Sequence, residues 1–503
     1  MSDIRSVLRD LGGIFIIIGF VTLFCLIVPL YFGEYGSNCP YDAIGPILIT
    51  SAIYFGLGLP FYYIFKNAEP ANFKSAMVTA ALAWFFISLV GSIPFWLIPY
   101  DTANLINMAP LSAFFESMSG WTGTGLTMVG QENLLPPTLQ FWRSLIQWVG
   151  GVGVIVLTLS ILARPGTGSF VLYKGEARDQ KTHPSIVSTV RTIWWIFLLF
   201  TIIGIIVLII LGAITPDGMN AWESLNHAMT GLATGGFSVT DDSITSFGTL
   251  SQIAIVVLMI AGAIAFAAHY DLLKGRIKKF FSDTQFRALF VLIILGLIGL
   301  TFVNLNLYNN DILQSLKYSG FQFTSAITCT GFASVENLAV WTESAKLILA
   351  FTMIIGGAAG STAGGIKLFR AILLYKGVGW RIKRAISTPR RVFVHKFGDK
   401  SLSKDDAMDL INEAAIISFM WVILLFAGVI IILQTSENQT LSNSFFEVCS
   451  AQGNVGLSTG ITNIHMSPIG KIMLIFNMWI GRLEIIPIIV LIKSMFGIKR
   501  NIL

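Results

Sequence analysis

Four stretches far apart in the chain share one glycine-centred template. They are Ser119-Gly120-Trp121-Thr122-Gly123-Thr124-Gly125-Leu126, Thr230-Gly231-Leu232-Ala233-Thr234-Gly235-Gly236-Phe237, Ser325-Ala326-Ile327-Thr328-Cys329-Thr330-Gly331-Phe332 and Ser450-Ala451-Gln452-Gly453-Asn454-Val455-Gly456-Leu457. Aligned on Gly125, Gly236, Gly331 and Gly456, each has a hydroxyl six residues earlier and a small residue five earlier. Nine residues earlier stands a side chain able to hydrogen-bond: Glu116, His227, Gln322 or Glu447. The copies lie roughly 95 to 125 residues apart, the mark of a long internal repeat of whole units. Four copies of one loop in one chain predict pseudo-fourfold symmetry around an axis.

The chemistry available at such an axis is cation dehydration. An ion stripped of water needs its hydration shell replaced, and rings of backbone carbonyls do this. Carbonyls turn inward together where the backbone visits conformations that glycine permits and a Cβ forbids. One such loop is an ordinary turn between apolar helices, but four sharing five aligned positions point to a filter. The candidate ion-binding residues are Thr122, Gly123, Thr124 and Gly125; Ala233, Thr234, Gly235 and Gly236; Thr328, Cys329, Thr330 and Gly331; and Gly453, Asn454, Val455 and Gly456. The hydroxyls of Ser119, Thr230, Ser325 and Ser450 either satisfy helix-end backbone groups or touch the ion. The polar residues nine positions back either scaffold the loops or serve as caps and solvent-facing positions.

The elements that must position these loops are membrane helices. Of 503 residues, 54% are hydrophobic and only 12% charged, with mean hydropathy +0.74; a soluble domain carries about 25% charged residues. A span needs about 20 apolar residues, and about ten candidates appear: 11–32, 44–66, 76–99, 138–163, 190–213, 252–270, 287–306, 345–374 (interrupted), 412–434 and 470–496. The expected class is an all-α integral membrane protein. The first segment lacks a small-x-small cleavage site and reads as a retained helix. With both termini cytoplasmic, most of the 33 Lys and Arg residues face the cytoplasm, in keeping with the positive-inside rule. That placement explains the net charge of +6 without nucleic acid. Acidic residues such as Asp101, Glu132, Asp241 and Asp242 would make the outer face net negative and concentrate cations. Cys25, Cys39, Cys329 and Cys449 offer no disulfide framework or zinc spacing.

The predicted order is an N-terminal two-helix hairpin (1–74), repeat 1 (75–163), repeat 2 (164–271), repeat 3 (272–374), a basic cytoplasmic linker (375–409) and repeat 4 (410–503). Each repeat reads as helix, short helix, glycine loop, second helix. The short helices are expected near 110–120, 220–231, 311–327 and 441–451. Re-entrant segments of this kind survive at membrane depth only when enclosed by protein or facing a wet cavity. Their C-terminal ends carry partial negative charge, which favours a cation. The linker is the most basic stretch, suited to anionic lipid or to a regulatory partner.

Two further features stand out within the spans. The run 356–365 holds Gly356, Gly357, Gly360, Ser361, Thr362, Gly364 and Gly365, and each glycine disfavours a helix interior by about 1 kcal/mol against alanine. Either two small-xxx-small pairs pack helices closely, or a flexible loop obstructs conduction below the filter. Arg482 is a basic residue within an apolar span, where a charge usually faces a cavity or a partner. It either pairs with Glu484 or faces the pore and opposes cations.

These loops, together with Phe141-Trp142-Arg143-Ser144-Leu145, the run 356–367 and Gly481-Arg482-Leu483-Glu484, resemble the Trk/Ktr/HKT superfamily of potassium transporters, and the chain is most similar to its TrkH branch. The resemblance spans about residues 10–496. It implies potassium as the transported substrate, filter glycines at Gly125, Gly236, Gly331 and Gly456, and a gate at 356–365 with Arg482. It also implies a homodimer with one pore per protomer and a separate cytosolic, TrkA-like nucleotide-binding ring. Two positions depart from the family pattern: Gly123 and Asn454 stand where threonine is expected. Both bear on selectivity.

Other motifs point elsewhere and lack their context. Gly456-Leu457-Ser458-Thr459-Gly460 spells a nucleophile elbow, which requires a strand before it; no enzyme activity is expected. No Walker A or G-x-G-x-x-G element stands between strand and helix, so this chain needs no cofactor and binds no nucleotide itself. The competing functions are a sodium-permeable or sodium-coupled transporter of the same architecture and the channel-like subunit of an ATP-driven pump. An alternating-access carrier would show paired repeats around one central site. Passive and coupled (symporter) flux both suit these residue types.

Overall fold

The computed structural model describes residues 2–37, 39–153, 186–388, 394–398, 400–437 and 439–495. The expected span 138–163 is therefore described only to Gly153, and Arg390 and Arg391 of the basic linker lie outside the described residues. Among the described residues the regular structure is helical apart from one short antiparallel hairpin, His395–Phe397 with Lys400–Leu402, inside the basic linker. The hairpin leaves the all-α class as expected. It turns at Gly398, whose φ is +57°, and it is too short to show as an alternating pattern.

Six helical segments among the described residues are long and apolar enough to cross a membrane, or eight if each of two bent pairs is one span. The N-terminal hairpin packs Ser2–Phe24 against Ile44–Ile64. The two helices meet where Gly12 faces Gly58, and a Cβ on Gly58 would lie 3.0 Å from the Gly12 carbonyl. Such small-residue contacts are how apolar helices approach in lipid.

The short helices are Pro110–Thr122, Ala221–Leu232, Ile312–Ile327 and Leu441–Gly453, close to their expected positions. Local chemistry starts them. Pro110 occupies the first turn, where its missing N–H costs nothing, and Asn220, Asp311 and Thr440 accept from backbone N–H groups of the first turns.

Two of the second helices, expected as the continuous spans 252–270 and 470–496, are bent, and the interruption expected within 345–374 is present. Pro137–Val152, Thr249–Ala263, Glu343–Ile355 and Pro468–Arg482 are all short. Thr249–Ala263 turns by 105° into Phe266–Leu273, and Pro468–Arg482 by 112° into Ile486–Met495. Glu343–Ile355 stops at Gly356, and helix structure resumes only at Leu368–Ala385. One glycine recurs near the end of each: Gly150, Gly262, Gly356 and Gly481. A Cβ on Gly150, Gly262 or Gly481 would strike the carbonyl of Trp121, Leu232 or Gln452, the equivalent residue of the same repeat's short helix. Bare backbone there lets the short helix rest its C-terminal end on its partner.

Candidate ion-conducting site

Each short helix ends in the same capping geometry. The N–H groups of Thr124, Gly235, Thr330 and Val455 donate to the carbonyls of Ser119, Thr230, Ser325 and Ser450 at 2.8–2.9 Å. The N–H groups of Gly123, Thr234, Cys329 and Asn454 donate to Gly120, Gly231, Ala326 and Ala451. This pair of bonds is the Schellman motif, which requires a left-handed residue just past the helix. Gly123, Thr234, Cys329 and Asn454 accordingly have φ between +51° and +67°. Thr234 is β-branched, so its positive φ is strained and must be held by its surroundings.

Two residues further on, Gly125, Gly236, Gly331 and Gly456 again have positive φ, from +74° to +102°. Their mutual placement closes a ring. A Cβ on Gly125 would collide with the Gly235 carbonyl, on Gly236 with Thr330, on Gly331 with Val455, and on Gly456 with Thr124. Every loop thus abuts the next, and the fourth returns to the first. All four glycines line one cavity of about 170 Å³, whose wall also carries Glu132, Asp241 and Glu336.

The four polar residues nine positions back are fully buried, which removes the solvent-facing reading. Each holds the outgoing limb of its own loop. Glu116 accepts from Thr127 Oγ1 and the Met128 N–H (2.8 Å), and Glu447 from Ser458 Oγ, the Thr459 N–H and the Thr462 N–H. His227 Nε2 lies 2.8 Å from Ser238 Oγ, while Gln322 donates a longer bond (3.4 Å) to Ser334 Oγ.

The hydroxyls six residues back divide. Ser325 and Ser450 accept from the N–H groups of Gly331 and Gly456 at 3.1 and 2.9 Å. Thr230 donates to the Phe237 carbonyl, and buried Ser119 Oγ has no hydrogen-bond partner among the described residues.

Several contacts tie one repeat to the next, and residue types alone did not reveal them. Arg143, 1% exposed, pairs with Glu116 at 2.9 Å, donates to the Ser238 carbonyl and stacks on Phe237. It links loops one and two. Gln147 brackets loop two, donating to the Gly235 carbonyl (2.6 Å) and accepting from the Phe237 N–H; that carbonyl is already engaged by protein. Asn454 Nδ2 donates to Thr124 Oγ1 (2.9 Å) and the Met478 carbonyl, so the amide at this departure from the pattern joins loops four and one. Glu116→Ala would leave buried Arg143 with only the more distant Glu132 carboxylate, at 3.8 Å. Breaking a buried pair costs about 3–5 kcal/mol, and the expected outcome is a lower unfolding midpoint of the purified protein in detergent. Gln322→Ala, which loses one long bond, is expected to lower it much less.

Below the loops, residues 356–367 form irregular backbone, which rules out the helix-packing reading of the glycine run. The segment is bonded rather than loose: the Ala358 and Thr362 N–H groups donate to the Ala263 and Gly262 carbonyls (3.0 and 3.1 Å), and Ile366 to Ile354. Thr362 Oγ1 accepts from Thr234 Oγ1 (2.9 Å) and donates to the Gly262 carbonyl. A Cβ on Gly364 would collide with the Gly453 carbonyl. Gly357 packs against Ala263 and Ala363, and Gly360 accepts from the Phe266 N–H. Gly356, Gly360 and Gly365 have positive φ, while Ser361 donates to the Ala358 carbonyl.

Arg482, at the end of the last of these helices, reaches this segment. It donates to the Thr362 carbonyl (3.1 Å), to Gly151 (2.9 Å) and to Gly150, and lies over the Trp84 ring. The alternative pairing with Glu484 is overturned: Glu484 binds Arg370 at 2.5 Å. The carboxylate is taken by the helix that follows the glycine run, because positive φ at Glu484 and Ile485 turns the chain away from Arg482.

Comparison with known proteins places the chain in a family. The family model described as TrkH, cation transport protein, matches residues 47–497. A cation transporter of Methanocaldococcus jannaschii is 34% identical, with 98% of this chain and 96% of that protein covered. The Trk system potassium uptake protein TrkH of Escherichia coli K12 is 32% identical, covering 86% of this chain and 87% of that protein. The crystal structure of the potassium transporter TrkH from Vibrio parahaemolyticus superimposes with a TM-score of 0.80 at 25% identity, covering 98% of this chain and 99% of that one. With its multi-pass apolar helices and the match across most of its length, the chain belongs to the TrkH family of cation transport proteins.

Proposed function

We propose that this protein carries potassium into the cell through the ring of four loops. The observation that carries this reading is the cyclic close approach of Gly125, Gly236, Gly331 and Gly456 around one cavity. Loop carbonyls replace the ion's water, and the acidic mouth gathers cations. Residues 356–365 and Arg482 gate the path from below, in a channel-like mode of permeation. Relatives named as Trk potassium uptake proteins favour potassium over other cations.

About ten crossings follow if Pro137–Val152 and Glu343–Ile355 also belong to spans, with both termini cytoplasmic. A homodimer in the cell membrane, regulated by a TrkA-like cytosolic ring, completes the proposal. Growth of a potassium-uptake-deficient bacterium at low potassium, with and without that ring, tests it; failure to rescue in both arms sinks it. Asn454, whose amide replaces a hydroxyl at the loops, favours keeping sodium permeation as the second reading. Competition of rubidium uptake by sodium separates the two.

External pH supplies a further check. Burial pushes the Glu132 carboxyl up to about 7, against the opposing pull of Arg143. As outside pH falls through that value the group protonates and the mouth loses one negative charge. Uptake at low potassium is expected to fall by a factor of about 2, the scale of one partly screened charge. Glu132→Gln should show the lower uptake and a flattened pH profile.

A further inference from the structure

We propose that a pocket between the basic linker and the last repeat binds an anionic phospholipid. The pocket measures about 1040 Å³, at the upper end of the ~300–1,000 Å³ typical of small-molecule sites. It is a wedge between helices Leu368–Ala385 and Lys404–Thr435. They touch where Gly377 meets Ile411, a Cβ on Gly377 lying 3.1 Å from Ile411 Cδ1. The short hairpin closes one side. It is fastened by the Lys376 Nζ bond to the Lys396 carbonyl (2.9 Å), by Trp380 against His395 and by Phe369 against Phe397.

The lining divides by chemistry. Arg381, Lys383, Arg384, Lys404 and His395 line it, and among the described residues that line it none is acidic. Leu374, Val378, Ile382, Met408 and Ile411 supply an apolar wall. On each helix these groups recur at one-face spacing: 374, 378, 381, 382 on the first and 404, 408, 411 on the second. Val378, Ile382 and Val394 are 60%, 56% and 65% exposed, apolar surface that a small hydrated anion would leave wet. A phospholipid satisfies both halves. Its phosphate takes the guanidinium groups, and its acyl chains cover the aliphatic wall. The position fits, because Lys404–Thr435 is one of the apolar spans and Lys404 is its first residue, at the depth where headgroups lie. The inference goes beyond ion conduction and does not depend on which cation permeates.

The test is native mass spectrometry of the full chain purified in detergent, with phosphatidylglycerol or phosphatidylcholine added. Wild type is expected to retain phosphatidylglycerol preferentially. Arg381→Gln/Arg384→Gln/Lys404→Gln is expected to weaken that retention at least ~10-fold, given the contribution of each basic group to anionic-lipid binding. A second variant, Val378→Asn/Ile382→Asn, keeps the charges and is also expected to lose lipid. Wild-type retention by the triple variant overturns the proposal, as does equal binding of the two lipids. Displacement by millimolar inorganic phosphate with no effect of the apolar variant also overturns it, leaving a bare anion pocket. So does loss of a water-soluble acidic partner from the triple variant while lipid stays bound.

Discussion

Alanine in place of Gly331 is expected to abolish potassium uptake while the protein still reaches the membrane. Two independent costs meet at that residue. Its φ of +92° lies in the region where an L side chain is penalised by about 1–2 kcal/mol. The added Cβ would also collide with the Val455 carbonyl and stand 2.9 Å from Gly456 Cα. Both obstacles are backbone, not the ends of flexible side chains, so a loop must move for the methyl to fit. The moved atoms are the oxygens proposed to replace the ion's water, and they cannot shift without changing the collar. Together about 3 kcal/mol or more of disturbance corresponds to a loss of ~100-fold or greater. The measure is rubidium uptake at matched membrane expression. Gly299→Ala is the control, since nothing lies within 4 Å of its added Cβ. Uptake by Gly331→Ala at half the wild-type rate or more would remove the axis from the account. Equivalent losses are expected at Gly125, Gly236 and Gly456, whose surroundings are the same.

The four loops were legible because a template repeated four times rises above what any single turn can say. Their ring was legible only as an expectation of symmetry; which loop touches which is a matter of packing. The left-handed residues were partly visible. Gly123 and Asn454 are types that tolerate positive φ, whereas Thr234 and Cys329 carry no such mark and are held there by the capping bonds. The glycine run marks the interruption within 345–374, whereas the bends within 252–270 and 470–496 carry no such mark because apolar composition runs straight across them. Between Ala263 and Phe266 stand only Ile264 and Ala265, yet the chain turns by 105°. A signal did exist in the glycine that follows each loop glycine at nearly constant distance, at 150, 262, 356 and 481. The polar residues nine positions back were left undecided because helical spacing does not say which face meets the loop. Nearness in sequence makes Glu484 one candidate partner for Arg482, and a tight turn delivers it to Arg370 instead.

Arg482→Ala is expected to raise cation flux, and the argument separates two jobs that one side chain performs. Its guanidinium donates to carbonyls of three residues, Gly150, Gly151 and Thr362, and so clasps the irregular segment to the end of the first repeat's second helix. It also places a fixed positive charge beside the path proposed for the ion. At about 8 Å and an effective dielectric near 20, repulsion between two unit charges is about 2 kcal/mol, or ~30-fold in rate. Removing the charge lowers that barrier, and removing the clasp loosens the segment, so both changes act in the same direction. Arg482→Lys divides them. Lysine keeps the charge but lacks the planar fork that reaches several carbonyls, so flux through it should lie between alanine and wild type. The measurement is rubidium flux into liposomes containing purified protein at equal density. Alanine conducting no faster than wild type would refute the barrier role. Lysine matching alanine would assign the whole effect to the clasp, because a retained charge would then have opposed nothing.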